Sequence, residues 1–406
     1  MLILKIAFRN ILRQKRRSLL TGLSMTGGYI LCAWSFSLVE GSYGNIIDMF
    51  TLDHTGHIQI HKDNYLRKPK IYKTINNRKA LETILASNEQ VSNFSPRVFS
   101  PALAYAGKKT SPVRVIGVDV EQEPTTSRLA QKVKTGEYFD ANPDSDGYFK
   151  AMIGQGVADT LQLDIGDEIV LISQGADGSI ANDIFIIGAV VGNRTSYDRL
   201  GVYLPLGAAQ MFLSLGSDVH EYAIIVENKD DNEAVAAILQ DEMPELVVSP
   251  WQKVEETFYR TMQADKQGNE FTLGIVIFIV FVGVLNTVLM SVLERTREFG
   301  VLRAIGSRPL EIIKMIFLET MLLASISISI GIVLSIPLIT WFTYVGLLLP
   351  EPIDMSGIEF QYMTGEFSWY VFTTPMWLIF AFSAVVSIPP GFRAAHILPR
   401  DALGSH

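Results

Sequence analysis

The sequence predicts an α-helical membrane protein with four transmembrane helices and a large α+β extracytoplasmic domain between the first and second helix. Three observations predict it. Charged residues make up 19% of the chain and the mean hydropathy is +0.25, where a soluble protein carries about a quarter charged residues. The deficit is concentrated in four long uncharged runs. Between the first two runs, residues 40–270 hold 21 Lys/Arg and 33 Asp/Glu, enough chain for a domain with its own core.

The elements follow in order. Residues 1–17 read as a cytoplasmic amphipathic helix. At about 100° per residue, Lys5, Arg9, Arg13 and Arg16 share one narrow face, and Leu4, Phe8, Ile11 and Leu12 share another. Such a helix rests in the headgroup layer, with Arg17 beside it. The alternative is a helix that simply continues the first span into the cytoplasm. Residues 18–39 are the first span. They follow a basic segment, but the run is too long for a signal h-region and lacks a small-residue cleavage site, so it reads as a retained anchor.

Residues 40–250 form the α+β domain. Ile58–Ile60, Val113–Val118, Ile184–Val191, Val202–Leu204 and Tyr222–Val226 read as strands. Gly154–Leu161 is a helix that turns at Gly166-Asp167 into a strand ending near Ile172. Gly207–Leu213 and Asn232–Met243 read as helices. Residues 251–293 predict one continuous helix, a stalk over 251–270 with an apolar stripe at Trp251, Phe258 and Met262, then the second span over 271–293. A bilayer core of about 30 Å needs about 20 apolar residues, and the third (315–345) and fourth (369–392) spans meet that length.

Basic residues mark the cytoplasmic flanks of spans. Residues 1–39 carry six Lys/Arg and no acid, and residues 294–314 carry Arg295, Arg297, Arg303, Arg308 and Lys314. The tail, 393–406, has Arg393 and Arg400. The short loop 346–368 carries acids and no Lys or Arg. Both termini and the middle loop are therefore expected inside, and the domain and the short loop outside. The acidic domain argues against a nucleic-acid partner. The single cysteine, Cys32, excludes an internal disulfide.

No catalytic set stands out. GxxxxGK[ST] does not occur, and Ala106-Gly107-Lys108-Lys109-Thr110 lacks the upstream glycine of a phosphate cradle. Gly154-x-Gly156 has no third glycine at dinucleotide spacing. His54, His57 and His61 could in principle bind a metal, but no cysteine or fixed carboxylate completes the set, and they read as surface or packing residues. Glu319 is the acid of the third run, near its cytoplasmic end, with no evident partner in the sequence. It reads as a snorkelling or interface carboxylate.

The middle loop is the most informative stretch. Glu294-Arg295-Thr296-Arg297-Glu298-Phe299-Gly300-Val301-Leu302-Arg303-Ala304-Ile305-Gly306 resembles the ERxREhGhLRAhG loop of the FtsX/MacB permease superfamily, where h is apolar. Pro390-Gly391-Phe392-Arg393-Ala394-Ala395 followed by Pro399-Arg400-Asp401-Ala402-Leu403 is similar to the ending of that family's fourth span. Leu4–Ser18, Gly56–Ile60 and Gly154–Ile172 look like its amino terminus and extracytoplasmic domain.

The resemblance implies the permease subunit of a type VII ABC transporter in a bacterial inner membrane, with the domain periplasmic. It implies no catalytic residue and no cofactor in this chain, ATP and Mg being bound by a cytoplasmic ATPase subunit. It implies a second permease chain, as homo- or heterodimer, and contact with membrane lipid. Depending on the branch, it implies a periplasmic adaptor with an outer-membrane channel, or a lipoprotein carrier. Glu294, Arg295, Arg297, Glu298, Gly300, Arg303 and Gly306 are then the ATPase-coupling residues. Members move their periplasmic domains rather than passing substrate through the bilayer, for lipoprotein release, MacB-like export or activation of cell-wall hydrolases. The carrier-recruiting branch has a protruding hairpin where Ser173–Asp183 is short and polar here. A non-transporting envelope sensor is the rival reading.

Overall fold

The computed structural model describes residues 2–13, 15–355 and 358–397. The chain forms two compact units: residues 1–44, 263–348 and 362–406, and residues 45–262 with 349–361. The first is helical. Its elements are α1 (Leu2–Arg13), α2 (Lys15–Phe50), α3 (Glu256–Glu294), α4 (Thr296–Ala304), α5 (Pro309–Tyr344) and α6 (Trp369–Ala395). Among the described residues, α2, α3, α5 and α6 are long and apolar enough to cross a membrane.

Close backbone approach holds the helical unit together. Gly331 of α5 lies against the ring of Tyr29 on α2, where an added Cβ would sit 2.6 Å from a ring carbon. Apolar solvent gives helices no hydrophobic reason to associate, so such small-residue contacts supply the packing. The Tyr29 hydroxyl donates to the Phe372 carbonyl of α6 at 2.9 Å, and Thr26 Oγ1 donates to the Ser327 carbonyl of α5 at 3.1 Å.

The expected boundary at residue 40 is not where the first helix ends. α2 runs unbroken to Phe50, followed by a π-turn, Thr51–Thr55. Glu40–Phe50 holds no proline, and Glu40 and Tyr43 find partners on α3. Glu40 meets Lys266 at 3.3 Å, and the Tyr43 hydroxyl donates to Asp265 at 2.6 Å and accepts from Asn269 at 3.0 Å. The stalk is thus a helix pair rather than the single helix 251–270. The predicted continuous helix 251–293 is also interrupted. Trp251–Val254 is a separate turn, and Glu255 leaves the helical region at φ −113° and ψ 55°. The Trp251 N–H is held by the His57 carbonyl at 3.0 Å, so the first turn belongs to the domain and α3 starts afresh. The acidic loop contains a hairpin, Leu347–Met355 with Ile358–Met363.

The α+β unit carries strands β1 (Ile58–Lys62), β2 (Val91–Ala106), β3 (Lys109–Val118), β4 (Val133–Gly136), β5 (Lys150–Gly154), β6 (Glu168–Gln174), β7 (Ile180–Val191), β8 (Gly201–Pro205), β9 (Glu221–Val226) and β10 (Leu246–Pro250). The pairings β2–β3, β3–β8, β8–β5, β5–β7, β7–β6 and β6–β2 close on themselves, so six strands form a barrel. Closure leaves those strands no free edge. The long β2 then continues beyond the barrel: residues 91–97 pair with β9, which pairs with β1, which pairs with β10. One apolar core runs through both parts, from Ile58 and Tyr222 to Ile169 and Phe185.

The β1–β9–β2 register places His61, Glu221 and Arg97 side by side. Arg97, 5% exposed, bonds Glu123 at 2.6 and 3.1 Å and lies 3.5 Å from Glu221, which reaches His61 Nε2 at 3.1 Å. Ser95 and Ser127 complete the shell of Glu123 at 2.7 and 2.6 Å. Burial by itself would raise the Glu123 carboxyl. The Arg97 charge and the hydrogen bonds from Arg97, Ser127 and Ser95 outweigh it and hold the carboxyl below its usual range. Burial lowers both His57 and His220. Each accepts a backbone N–H at Nδ1, from Val226 at 3.2 Å and Phe99 at 3.0 Å, which requires a neutral ring.

Two outcomes follow from these groups. Arg97→Met strands Glu123 and Glu221 and is expected to cost about 3–5 kcal/mol. Chemical unfolding of the detergent-solubilised chain measures this, and a loss under about 1 kcal/mol contradicts the role given to Arg97. The two histidines bind protons more readily when unfolded, so their contribution is complete above about pH 6.5 and erodes as pH falls below it. Glu123 adds a further loss below about pH 4. The domain's melting temperature should therefore rise between pH 5 and 7.5, and a flat or falling profile contradicts this assignment.

Candidate functional site

The basic loop folds as the short helix α4 between two sharp corners. At its amino end Arg295 is non-helical, at φ −99° and ψ 15°. At its carboxyl end Ser307 N–H bonds the Leu302 carbonyl and Gly306 N–H bonds the Arg303 carbonyl, at 3.0 and 3.1 Å. That is the Schellman pattern, and it places Gly306 at φ +99°, where a side chain is strained. α5 then starts with Pro309 in its first turn, and Glu311 accepts the Arg308 N–H at 2.9 Å.

The seven loop residues expected to couple to an ATPase divide by orientation. Arg295 is 6% exposed and points inward. Its Nε bonds Glu298 at 2.8 Å, its Nη1 bonds both oxygens of Glu319 at 3.1 and 2.9 Å, and its guanidinium lies 5.1 Å from the Phe299 ring centre. Glu319, without an evident partner in the sequence, is thus the counter-ion of Arg295. The two are 24 residues apart and meet because α4 turns the chain back onto α5. Phe299 is fully buried against Met25, Val292, Ile312, Met315 and Ala394, and Gly300 is buried beside it. Arg303 is half-buried and donates to the Ser307 carbonyl at 3.0 Å. Glu294, Arg297, Glu298 and Gly306 are exposed.

Sequence reasoning missed the apolar part of this surface. Val301, Ile305 and Leu310 are 44%, 75% and 67% exposed. Arg297, Val301 and Ile305 recur every four residues and so share one face of α4. The spacing was readable, but nothing in it showed which face Phe299 and Gly300 would bury.

On α1, Ala7 and Ile11 are buried and Phe8 is exposed, so the buried face is displaced from the one expected. The α1 helix packs on α5, and Ser18 Oγ donates to the Ile11 carbonyl at 2.9 Å. Arg9, Arg13 and Arg16 are exposed. Lys5 and Arg17 belong to α1 and α2, but their side chains lie outside the described residues, as do Pro399–Leu403 of the tail motif. The three candidate histidines lie inside the α+β unit. His57 and His61 take the hydrogen bonds described above, and the His54 ring packs against Phe50 and Tyr197. The stretch 173–183 closes β6 to β7 with a tight turn, in which Asp177 accepts from Ser179 N–H at 3.0 Å and Oγ at 2.6 Å.

Long apolar helices, an α+β domain between two of them in the chain, and a basic helix fixed at a corner define a membrane permease of the ABC transporter class. The chain belongs to the FtsX/MacB/Lol-type (type VII) permeases: the MacB-like periplasmic core domain matches residues 18–242, and the FtsX-like permease C-terminal domain matches residues 270–399. The chain is 25% identical over 349 residues to the lipoprotein-releasing system transmembrane protein LolE of Haemophilus influenzae, covering 82% of each. It is 24% identical to the LolC protein of Xylella fastidiosa over 332 residues, 78% of each. It is 23% identical to the macrolide export ATP-binding/permease protein MacB 2 of Aeromonas hydrophila, covering 88% of this chain and 54% of that protein. Among solved structures, the periplasmic region of MacB from Actinobacillus actinomycetemcomitans aligns with 50% of this chain and 92% of its own, at 13% identity and a TM-score of 0.36.

The geometry makes Arg295 and Glu319 a unit. Arg295→Met should lower the unfolding midpoint more than the double variant Arg295→Met/Glu319→Leu, because the single change strands a carboxylate. A double-mutant cycle should give a coupling of at least about 1 kcal/mol. A coupling near zero contradicts the pair.

Proposed function

We propose that the chain is the permease subunit of a mechanotransmission ABC transporter, driven by a separate cytoplasmic ATPase. In this reading α2, α3, α5 and α6 span the inner membrane, both termini and α4 face the cytoplasm, and the α+β domain is periplasmic. The observation that carries it is the build of α4. Arg295, Phe299 and Gly300 fix the helix from behind, while Arg297, Val301 and Ile305 form an exposed front. A helix that cannot tilt independently of α3 and α5 transmits a push, and an apolar face rimmed by charge suits a cleft in a protein partner.

Motion of an ATPase dimer would shift α4, and with it the ends of α3 and α5. The paired charges of α2 and α3 beyond the apolar segments then suit a stalk that carries the displacement toward the domain. A second permease chain completes the assembly, and Arg9 and Arg13 of α1 with Arg16 of α2 hold this end of the chain at anionic headgroups. Lipoprotein release is the favoured task, because LolE and LolC match this chain along most of both lengths. MacB-like export with an adaptor and an outer-membrane channel is the second reading, and an FtsX-like regulator of cell-wall hydrolases the third.

Co-purification with the ATPase subunit tests the proposal. Ile305→Glu and Arg297→Glu should each reduce recovered ATPase at least tenfold with the permease still folded. Full recovery with both variants would remove α4 as the coupling element. Release of a labelled lipoprotein from spheroplasts, dependent on ATP hydrolysis, separates the first task from the others.

A further inference from the structure

Inside the α+β unit lies a cavity of about 400 Å³ that the transport reading does not use. Its lining includes Phe50, at the end of α2, and Glu255, the residue before α3. Its floor is β1. Gln59 and His61 are two residues apart, so both project to the same side. They are 4% and 0% exposed, and both line the cavity.

Both present an acceptor that nothing satisfies. Gln59 Nε2 donates to the Thr55 carbonyl at 2.9 Å, which leaves Oε1, and among the described residues no donor meets it. His61 Nε2 donates to the Glu221 carboxylate at 3.1 Å, and in the neutral ring its Nδ1 is an acceptor without a partner among the described residues. Buried acceptors left this way are costly, and native structures rarely keep them without a water or a ligand. A third acceptor is Glu255, whose carboxylate has no hydrogen-bond or ion-pair partner among the described residues and is pushed up by burial.

Charge fixes the ligand's sign. Four carboxylates line the cavity, Asp53, Glu123, Glu221 and Glu255, against two guanidiniums. Arg97 is paired with Glu123 and Glu221, Asp53 faces Lys132 at 3.4 Å, and Arg114 lies 4.3 Å over the Tyr197 ring and donates to its hydroxyl. Glu255 is the lining carboxylate left without an ion-pair partner among the described residues, and the lining carboxylates outnumber the lining guanidiniums. The walls are aromatic, with Phe50, Tyr65, Phe99 and Tyr203. Tyr65 and Phe99 also border a second, more apolar cavity of about 410 Å³, walled by Ile71 and Val113. Aromatic faces over an acceptor-rich floor suit a cation with an apolar body.

We propose that this cavity is a binding site for a small protonated amine carrying an aromatic or aliphatic group. The ammonium lies on Gln59 Oε1, His61 Nδ1 and the Glu255 carboxylate, and the apolar body lies against Phe50, Tyr65 and Phe99. Because Glu255 stands at the non-helical residue immediately before α3, an occupied site contacts the start of that helix. Binding is independent of the ATPase, so this proposal can fail without touching the transport reading, and the reverse.

Saturation-transfer NMR and titration calorimetry on the full chain in zwitterionic nanodiscs test it, with three matched probes. 2-Phenylethylamine should bind, while 2-phenylethanol and 3-phenylpropionate bind at least tenfold more weakly. Glu255→Gln and Gln59→Leu should each weaken the amine at least fivefold with the chain still folded, the latter at a lower melting temperature because the Thr55 carbonyl loses its donor. Should either variant misfold, competition by ammonium-bearing cyclohexylmethylamine against the wild-type chain supplies the same readout. Equal or tighter binding of the carboxylate, amine affinity unchanged in both folded variants, or no amine binding above that of the alcohol would overturn the proposal.

Discussion

An arginine cannot shed its proton, so a buried one dictates what surrounds it. Among the described residues two arginines are buried, and each governs one unit. Arg295 joins the end of α3, the helix α4 and the body of α5 through Glu298 and Glu319. Arg97 joins β2 to β9 through Glu221 and to the segment after β3 through Glu123. Glu319, Glu123 and Glu221 come from distant sequence, so these ion pairs form only if the intervening chain turns correctly. Buried pairs of this kind add little net stability over an apolar packing, but breaking one strands a charge. They therefore act as conditions on geometry more than as sources of energy.

The consequence at α4 is mechanical. A nine-residue helix has too few backbone bonds to be stable alone. Here it is clamped at both corners and from behind, by the Arg295 pairs, by Phe299 and by the glycine-closed turn at Gly306. The same clamping exposes Arg297, Val301 and Ile305, so one set of residues creates the rigidity and another the contact surface. The loop motif mixes the two sets along the twelve residues 295–306, which is why a linear reading placed Arg295, Gly300 and Gly306 together with Arg297.

Helical segments were legible because a long uncharged run leaves few alternatives. Strands with clean apolar runs, such as β3, β7 and β9, were legible for a similar reason. β2 was not: Pro96 and Pro101 interrupt its pattern, and a proline inside a run argues against a central strand. The extension of α2 past residue 40 was hidden by its charges, which look like a domain until Lys266 and Asp265 appear opposite them.

By itself the sequence determined that apolar helices carry an acidic α+β domain, that basic residues gather between the second and third helices, and that this loop has the permease family's pattern. Those features are local, set by composition, periodicity and spacing. The tertiary structure alone decided that six strands close into a barrel, that Glu319 answers Arg295, that α4 turns Ile305 outward, and that Gln59 and His61 share a cavity with Glu255. Each of these depends on which residues meet across long stretches of chain. Such meetings are fixed by strand register and helix packing, and neither leaves a mark in the order of residues.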